Sequence, residues 1–276
     1  MKSNHAIGIL AEHLRYHQYP SSYLEELRRH LQLDYTSQQL TTVQQSLLQQ
    51  CLYLLTKQAP VEYIVGSALF NNQRFLVTRE VLIPRFDTEK LFRDSLQTIQ
   101  KLPQPSAIID IGTGSGILAI CLAKSVSPLH SLHAVDISSA ALTLAQLNAQ
   151  KHSVTDRITF HLADTYPLSS KTNSPLIPHE DTLVIVSNPP YLRNTINHSL
   201  PTSVTVYEPS VALFESLNFI TKLHYYLTTL LQNNKTIFVH LEYANEDNTV
   251  VFLTLSGQEA VNFLNDRMSS LSSPAS

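Results

Sequence analysis

The chain is poor in glycine and cysteine, carries no basic excess, and has no long apolar run. Its 276 residues include two cysteines and six glycines, with 15% charged residues and a formal net charge of −3. Cys51 and Cys121 lie far apart in apolar, helix-patterned stretches. They are expected to be buried free thiols, which suits a reducing compartment better than a disulfide framework. No uninterrupted apolar run reaches the roughly 18 residues of a membrane span. The opening MKSNHAIGILAEHLRY has acid and histidine where a signal peptide has an apolar core. It also lacks the Arg-rich, acid-free character of a transit peptide, so a cytoplasmic protein is expected. The slightly acidic balance argues against a nucleic-acid binder, whose phosphate contacts need Lys and Arg. No Gly-Lys pair occurs, which excludes a phosphate-cradling P-loop, and no G-x-S-x-G elbow announces a hydrolase. His13 and His17 stand four apart on a helical pattern without a third ligand nearby, so exposed histidines are expected and no metal.

Two halves with different rhythms remain. Residues 4–58 read as helices: one through Ile7, Leu10 and Leu14, a second through Leu24, Leu27 and Leu31. A third, capped by Thr36 or Ser37, carries Leu40, Val43, Leu47 and Leu48. Pro60 opens a short turn that Gly66 closes. The period then shifts to two, and LFNNQRFLVTREVLIP predicts a hairpin turning at Asn71-Asn72. Asp87 or Thr88 is expected to cap a helix over TEKLFRDSLQTIQ, followed by a spacer at Leu102–Pro105.

Beyond the spacer, strand and helix patterns alternate. The strands are AIIDI (107–111), SLHAVD (131–136), RITFHL (157–162), TLVIVS (182–187) and TIFVHLE (236–242), with VVFLTL (250–255) a candidate sixth. A helix is read over 211–232 and a short one over GQEAVNFLNDR, with a surface loop at 169–178. Such alternation predicts an α/β fold, doubly wound, with a mostly parallel Rossmann-like sheet behind a small N-terminal helical domain. The divisions read as 1–66 helical domain, 67–104 hairpin and helix linker, 105–268 sheet domain, and 269–276 disordered tail.

Three of the six glycines fall within Gly112-Thr113-Gly114-Ser115-Gly116, at a strand-to-helix turn. Glycine clustered there lets the backbone approach a ligand closely. Ile117 breaks the G-x-G-x-x-G dinucleotide fingerprint. The next strand ends in Asp136, 20 residues beyond Gly116, where a carboxylate can hold two ribose hydroxyls. Asp164 closes the third strand near where an adenine edge is read. A nucleoside site without a cationic clamp suits S-adenosylmethionine, whose positive charge the nearby Asp110 favours. A helix cap or a solvated turn is the plainer reading of each carboxylate, weightier for Asp164 than for Asp136.

The fourth strand ends in VSNPPYL, residues 186–192. Two prolines forbid further pairing, because neither donates an N–H. A strand end with a turn explains any single Asn-Pro pair. At the carboxyl edge of a doubly wound sheet, however, Asn188-Pro189-Pro190-Tyr191 faces the ligand crevice. Methylating a planar nitrogen requires holding an NH₂ group whose lone pair is delocalised. The Asn188 side-chain oxygen and the Pro189 carbonyl can each accept one of its protons, on a backbone that proline has already fixed. Tyr191 offers a ring to the flat face of the acceptor. Positioning then makes the main contribution to rate.

On these residues, and on PVEYIVGSALFNNQRFLVTREVLIPRFDTE, DIGTGSGILAICLA, AVDISSAALTLAQLNA and EPSVALF, the chain resembles the protein-(glutamine-N5) methyltransferases that modify peptide-chain release factors. The resemblance covers most of residues 20–215. It implies that Gly112 to Gly116 wrap the methionine part of S-adenosylmethionine, that Asp136 holds the ribose, and that Asp164 and Thr165 lie by the adenine. It implies that Asn188 to Tyr191 grip a glutamine amide, that Asn188 also touches the cofactor, and that Arg85, Thr88 and Glu89 line or brace the cavity. It further implies a release-factor partner contacted by the front helices, no nucleic acid, no membrane and a monomer. An amino-methyltransferase acting on adenine or guanine, and a cofactor-binding paralogue without turnover, are the alternatives. The chain departs from the family at Phe86, where proline is usual and which is expected to shape the cavity wall. It departs again at Glu215–Phe219 and at Leu241-Glu242-Tyr243.

Overall fold

The computed structural model describes residues 1–102, 105–166, 175–192, 200–244 and 249–272. The first unit is α1 (Ser3–Tyr16), α2 (Tyr23–His30), α3 (Thr42–Thr56) and α4 (Val61–Val65). Leu10, Leu14, Leu27, Leu31, Leu48, Leu55 and Val61 form its own apolar core, separate from those around the sheet. The cap of α3 is Thr41, not Thr36 or Ser37. Its hydroxyl accepts the Gln44 N–H, and the Gln44 side chain accepts the Thr41 N–H, a reciprocal capping box. Leu40 consequently precedes the helix, and Val43 is exposed instead of joining the core. Gly66 ends α4 in the left-handed region at φ 70°.

The hairpin forms as the alternation requires: β1 (Ser67–Phe70) pairs antiparallel with β2 (Gln73–Leu76). Asn71 and Asn72 both take positive φ, 46° and 56°, the conformation a two-residue hairpin turn demands. Phe70 and Phe75 then turn into the core of the sheet domain. Helix α5 (Thr88–Ile99) follows, without a side-chain cap from Asp87. Thr88 has a different partner, described below.

The main sheet comprises β3 (Ala107–Ile111), β4 (Ser131–Asp136), β5 (Thr159–Leu162), β6 (Thr182–Ser187), β7 (Thr236–Ala244) and β8 (Val250–Ser256). Its order is β5-β4-β3-β6-β7-β8, all neighbours parallel except β7 with β8. Between the strands run α6 (Ile117–Ser125), α7 (Ser139–Lys151), the short α8 (Thr202–Thr205) and α9 (Ser210–Leu213), and α10 (Leu217–Gln232); α11 (Gly257–Ser272) closes the chain. The helix read over 211–232 is therefore two, α9 and α10, and the expected tail at 269–276 begins too early, since α11 runs through Ser272. Residues 273–276, with 169–174 of the expected loop and 103–104 of the spacer, lie outside the described residues.

The central strands β3 and β6 are buried on both faces, as their nearly continuous apolar runs predict, whereas the edge strands β5 and β8 are partly exposed. Ile108, Val184 and Val186 face α5 and α6, while Ala107, Ile109, Ile111, Leu183 and Ile185 face α10 and α11. Cys51 and Cys121 are free and buried. Arg28 is tied to Glu25 and to the Leu33 carbonyl, whereas Arg29 is half-exposed. Among the described residues no helix is long and apolar enough to cross a membrane.

Candidate active site

The strand order reverses between β3 and its two neighbours, β4 and β6, and a crevice opens at the carboxyl ends of these strands. Its atom-free space, open mouth included, is about 1210 Å³. After β3 the chain turns on Gly112, Gly114 and Gly116, at φ 72°, 54° and 84°. The Gly112 and Thr113 N–H groups both donate to the Val135 carbonyl at 2.9 Å, which pins the loop to β4. A Cβ on Gly116 would lie 3.0 Å from Ile120 Cδ1 and 3.1 Å from Ala145 Cβ, so that glycine serves close packing beneath the loop.

Asp110 is fully buried under the loop. Its Oδ2 accepts the Thr113 hydroxyl at 2.7 Å and the Ala119 N–H at 3.1 Å. Its Oδ1 has no partner among the described residues. Burial pushes its carboxyl up to about 7, against the pull of those two donors. Asp136 accepts the Gly114 N–H on Oδ2 and the Ser138 N–H on Oδ1, each at 2.9 Å. Burial raises this carboxyl too, and each oxygen keeps a second lone pair for a ligand. For Asp164, burial pushes upward, but the Lys222 ammonium and the Thr165 hydroxyl hold the carboxyl below its usual range.

The other wall is built from the linker and the end of β6. Asn188 Nδ2 donates to Thr88 Oγ1 at 3.1 Å, and the Thr88 hydroxyl donates to Glu242 Oε2 at 2.6 Å. The Tyr191 hydroxyl donates to Glu242 Oε1 at 2.8 Å. Glu242, on β7, is only 1% exposed; burial raises its carboxyl, opposed by the two hydroxyl donors. Arg85 reaches Glu208 at 2.5 Å from the edge of the crevice.

Of the residues singled out in the sequence, Arg85, Thr88, Gly112, Thr113, Gly114, Ser115, Asp136, Asp164, Thr165, Asn188 and Pro190 line this one cavity. Four do not. Gly116 packs below the loop, Pro189 is buried behind the wall, and Tyr191 turns its hydroxyl to Glu242. Glu89 accepts the Asn71 N–H at 2.9 Å, so it holds the hairpin turn rather than the cavity. Phe86 is 80% exposed and off the cavity lining, which corrects its expected place in the wall. His13 and His17 are half-buried with rings 4.5 Å apart, not exposed, and no group of metal ligands occurs among the described residues.

Two residues escaped the sequence reading. Asn148 is fully buried: its side chain pairs with both the N–H and the carbonyl of Leu76 and donates to the Ser115 carbonyl at 2.8 Å. It locks the hairpin to the glycine loop, and its signal was an amide on the apolar stripe of α7. Glu242 was noticed only as a departure; an acid near the end of a buried strand was its signal.

The cavity fits S-adenosylmethionine. A glycine loop pinned close to the ligand, an acid at the end of β4, and apolar surface from Ile137 and Phe219 answer to its amino-acid, ribose and adenine parts. Among the described lining residues Arg85 is paired with Glu208 and Asp164 with Lys222, which leaves the acids Glu80 and Asp136 without a lining cation, so the potential favours a positive ligand. Fold and site together define a class I S-adenosylmethionine-dependent methyltransferase. Residues 87–197 match the family model described as ribosomal protein L11 methyltransferase (PrmA). The catalytic domain of hMettl16, solved with a MAT2A 3′UTR hairpin, superposes with a TM-score of 0.50 at 15% identity, covering 92% of this chain and 82% of that one. The release factor glutamine methyltransferase of Thermosynechococcus vestitus is 33% identical over 216 residues, 76% of this chain and 71% of its own. That of Flavobacterium psychrophilum is 35% identical over 223 residues, 78% and 72% of the two chains. The chain belongs to the release factor glutamine methyltransferase family.

Proposed function

We propose that the protein transfers a methyl group from S-adenosylmethionine to the side-chain amide nitrogen of the glutamine in the Gly-Gly-Gln loop of peptide-chain release factors. The observation that carries this reading is the orientation of Asn188. Its Nδ2 is committed to Thr88, which leaves Oδ1 as an acceptor on the cavity side. A carboxamide NH₂ offers two protons, and Asn188 Oδ1 takes one; the Pro189 carbonyl, off the cavity lining without substrate, takes the other only once substrate binding turns it toward the cavity. Bound S-adenosylmethionine supplies an electrophilic methyl on a sulfonium. The backbone of Gly112 to Ser115 cradles its amino-acid end, Asp136 takes the ribose hydroxyls, and Asp164 with Thr165 borders the base. Pro190 gives the acceptor an apolar wall, and Tyr191 acts from behind it through Glu242. No strong base is required, since the amide proton is lost to water after the nitrogen has been alkylated; holding the group in line supplies most of the rate.

The relatives' names support the glutamine acceptor over a nucleobase, and the likeness to an RNA-bound methyltransferase domain is one of fold alone. A cytoplasmic monomer that binds no nucleic acid directly accords with this reading. The test is label transfer from methyl-labelled S-adenosylmethionine to a release factor and to its loop Gln→Ala variant. Label confined to the unmodified factor is expected; equal label in both, or label in nuclease-sensitive material, overturns the reading.

A further inference from the structure

We infer that Glu242 and Thr88 are positioning residues that set which end of the Asn188 amide faces the acceptor. The inference rests on the glutamine-amide reading above. An asparagine side chain has two ends of nearly equal size and opposite character, and steric fit alone hardly chooses between them. Turned with Nδ2 toward the cavity, Asn188 presents protons to the protons of an incoming NH₂, and the site repels its substrate. Something must fix the orientation.

The hydroxyl of Thr88 does so, because its single proton is already committed. Glu242 is a pure acceptor when ionised, and it takes the Thr88 proton on Oε2 and the Tyr191 proton on Oε1. Thr88 Oγ1 is left with lone pairs only, so it can meet the Nδ2 end of Asn188 and not the Oδ1 end. Thr88 is 1% exposed, so water does not readily substitute in this relay. The relay joins the start of α5, the residue after β6 and the carboxyl-terminal part of β7. None of its partners is near in sequence: Thr88 and Glu242 lie 154 residues apart.

Thr88→Val removes the hydroxyl at nearly constant shape, and Thr88→Ser keeps it. Glu242→Gln lets an amide donate to Thr88, which frees the hydroxyl proton to reach Asn188 Oδ1 and turns the amide over. Expected are a fall in kcat of about 10- to 100-fold for Thr88→Val and a smaller fall for Glu242→Gln. S-adenosylmethionine affinity by calorimetry should stay within about threefold, the scatter expected when no cofactor contact is lost, and Thr88→Ser should recover most of the rate. Wild-type kcat in both Thr88→Val and Glu242→Gln, or cofactor affinity falling in step with kcat, overturns the inference. A second arm needs no acceptor: the Asn188 side-chain amide, assigned in nitrogen-edited NMR spectra by its loss in Asn188→Asp, should show one proton protected from exchange. That protection should vanish in Thr88→Val and persist in Thr88→Ser; protection unchanged in Thr88→Val overturns the inference. If the wild type methylates no release factor, the function proposed above fails, while this arm still decides the orientation.

Discussion

Asp110 sits fully buried with one carboxylate oxygen unpartnered among the described residues, and burial pushes its titration up to about 7. The folded state thus holds a proton that the unfolded chain releases at ordinary carboxylate pH. Its contribution to stability is complete at low pH and is lost as pH rises from the unfolded value through about 7. Asp110→Asn should flatten the decline in unfolding free energy over that window, measured as urea midpoints between about pH 4 and 8; an unchanged slope would show that Asp110 titrates normally. On the proposed roles, Asn188→Ala should lower kcat by about 100-fold or more and weaken S-adenosylmethionine binding far less, since the acceptor it removes serves the substrate more than the cofactor. At this scale the sequence was readable where chemistry is local. Asp136 stood out at a strand end and Asn188 beside two prolines. Glu242 and Asn148 did not, because their meaning comes from Thr88 and Leu76, 154 and 72 residues away.

Elements were easiest to read where burial is two-sided. Strands β3, β4 and β6 coincide with the expected residues, because each is an apolar run bounded by glycine, acid or proline. Helix starts were harder, since several hydroxyl residues precede α3 and only reciprocal bonding with Gln44 selects Thr41. Thr88 reads as a cap, but its hydroxyl satisfies a distant acid instead. Gly116→Ala should cost about 2 kcal/mol of stability, because the new methyl meets Ile120 and Ala145 at a φ that L-residues disfavour. Asn148→Ala should cost about 2 to 3 kcal/mol by stranding the Leu76 and Ser115 backbone groups. It should also weaken cofactor binding, because the glycine loop loses its anchor to the hairpin; calorimetry on the variant reads both effects.

Across the whole molecule, one cavity is walled by a hairpin linker, a parallel sheet and the segment before α10. Tyr207 donates to the Lys57 carbonyl, which ties the front helices to the catalytic unit, and Arg74 on the hairpin reaches Glu26, which ties them to the linker. The C-terminal third, divergent in sequence, still closes the sheet through β8. Arg267 on α11 makes a paired contact with Glu215, at 2.9 and 2.7 Å, beside the cavity-lining Ser216. Both side chains are buried, so Arg267→Ala should lower stability by about 3 kcal/mol through the stranded carboxylate, as thermal or urea unfolding would show. The strand itself was legible as an apolar run at 250–255, but the Arg267–Glu215 contact was not, because it pairs residues 52 apart in the chain.

The central claim is that Asn188 receives the acceptor carboxamide with its oxygen. A crystal structure of the protein with S-adenosylhomocysteine and a glutamine-containing release-factor loop tests it most directly. The glutamine nitrogen should lie within hydrogen-bonding distance of both Asn188 Oδ1 and the Pro189 carbonyl. A glutamine whose oxygen, rather than its nitrogen, meets Asn188 would contradict the account.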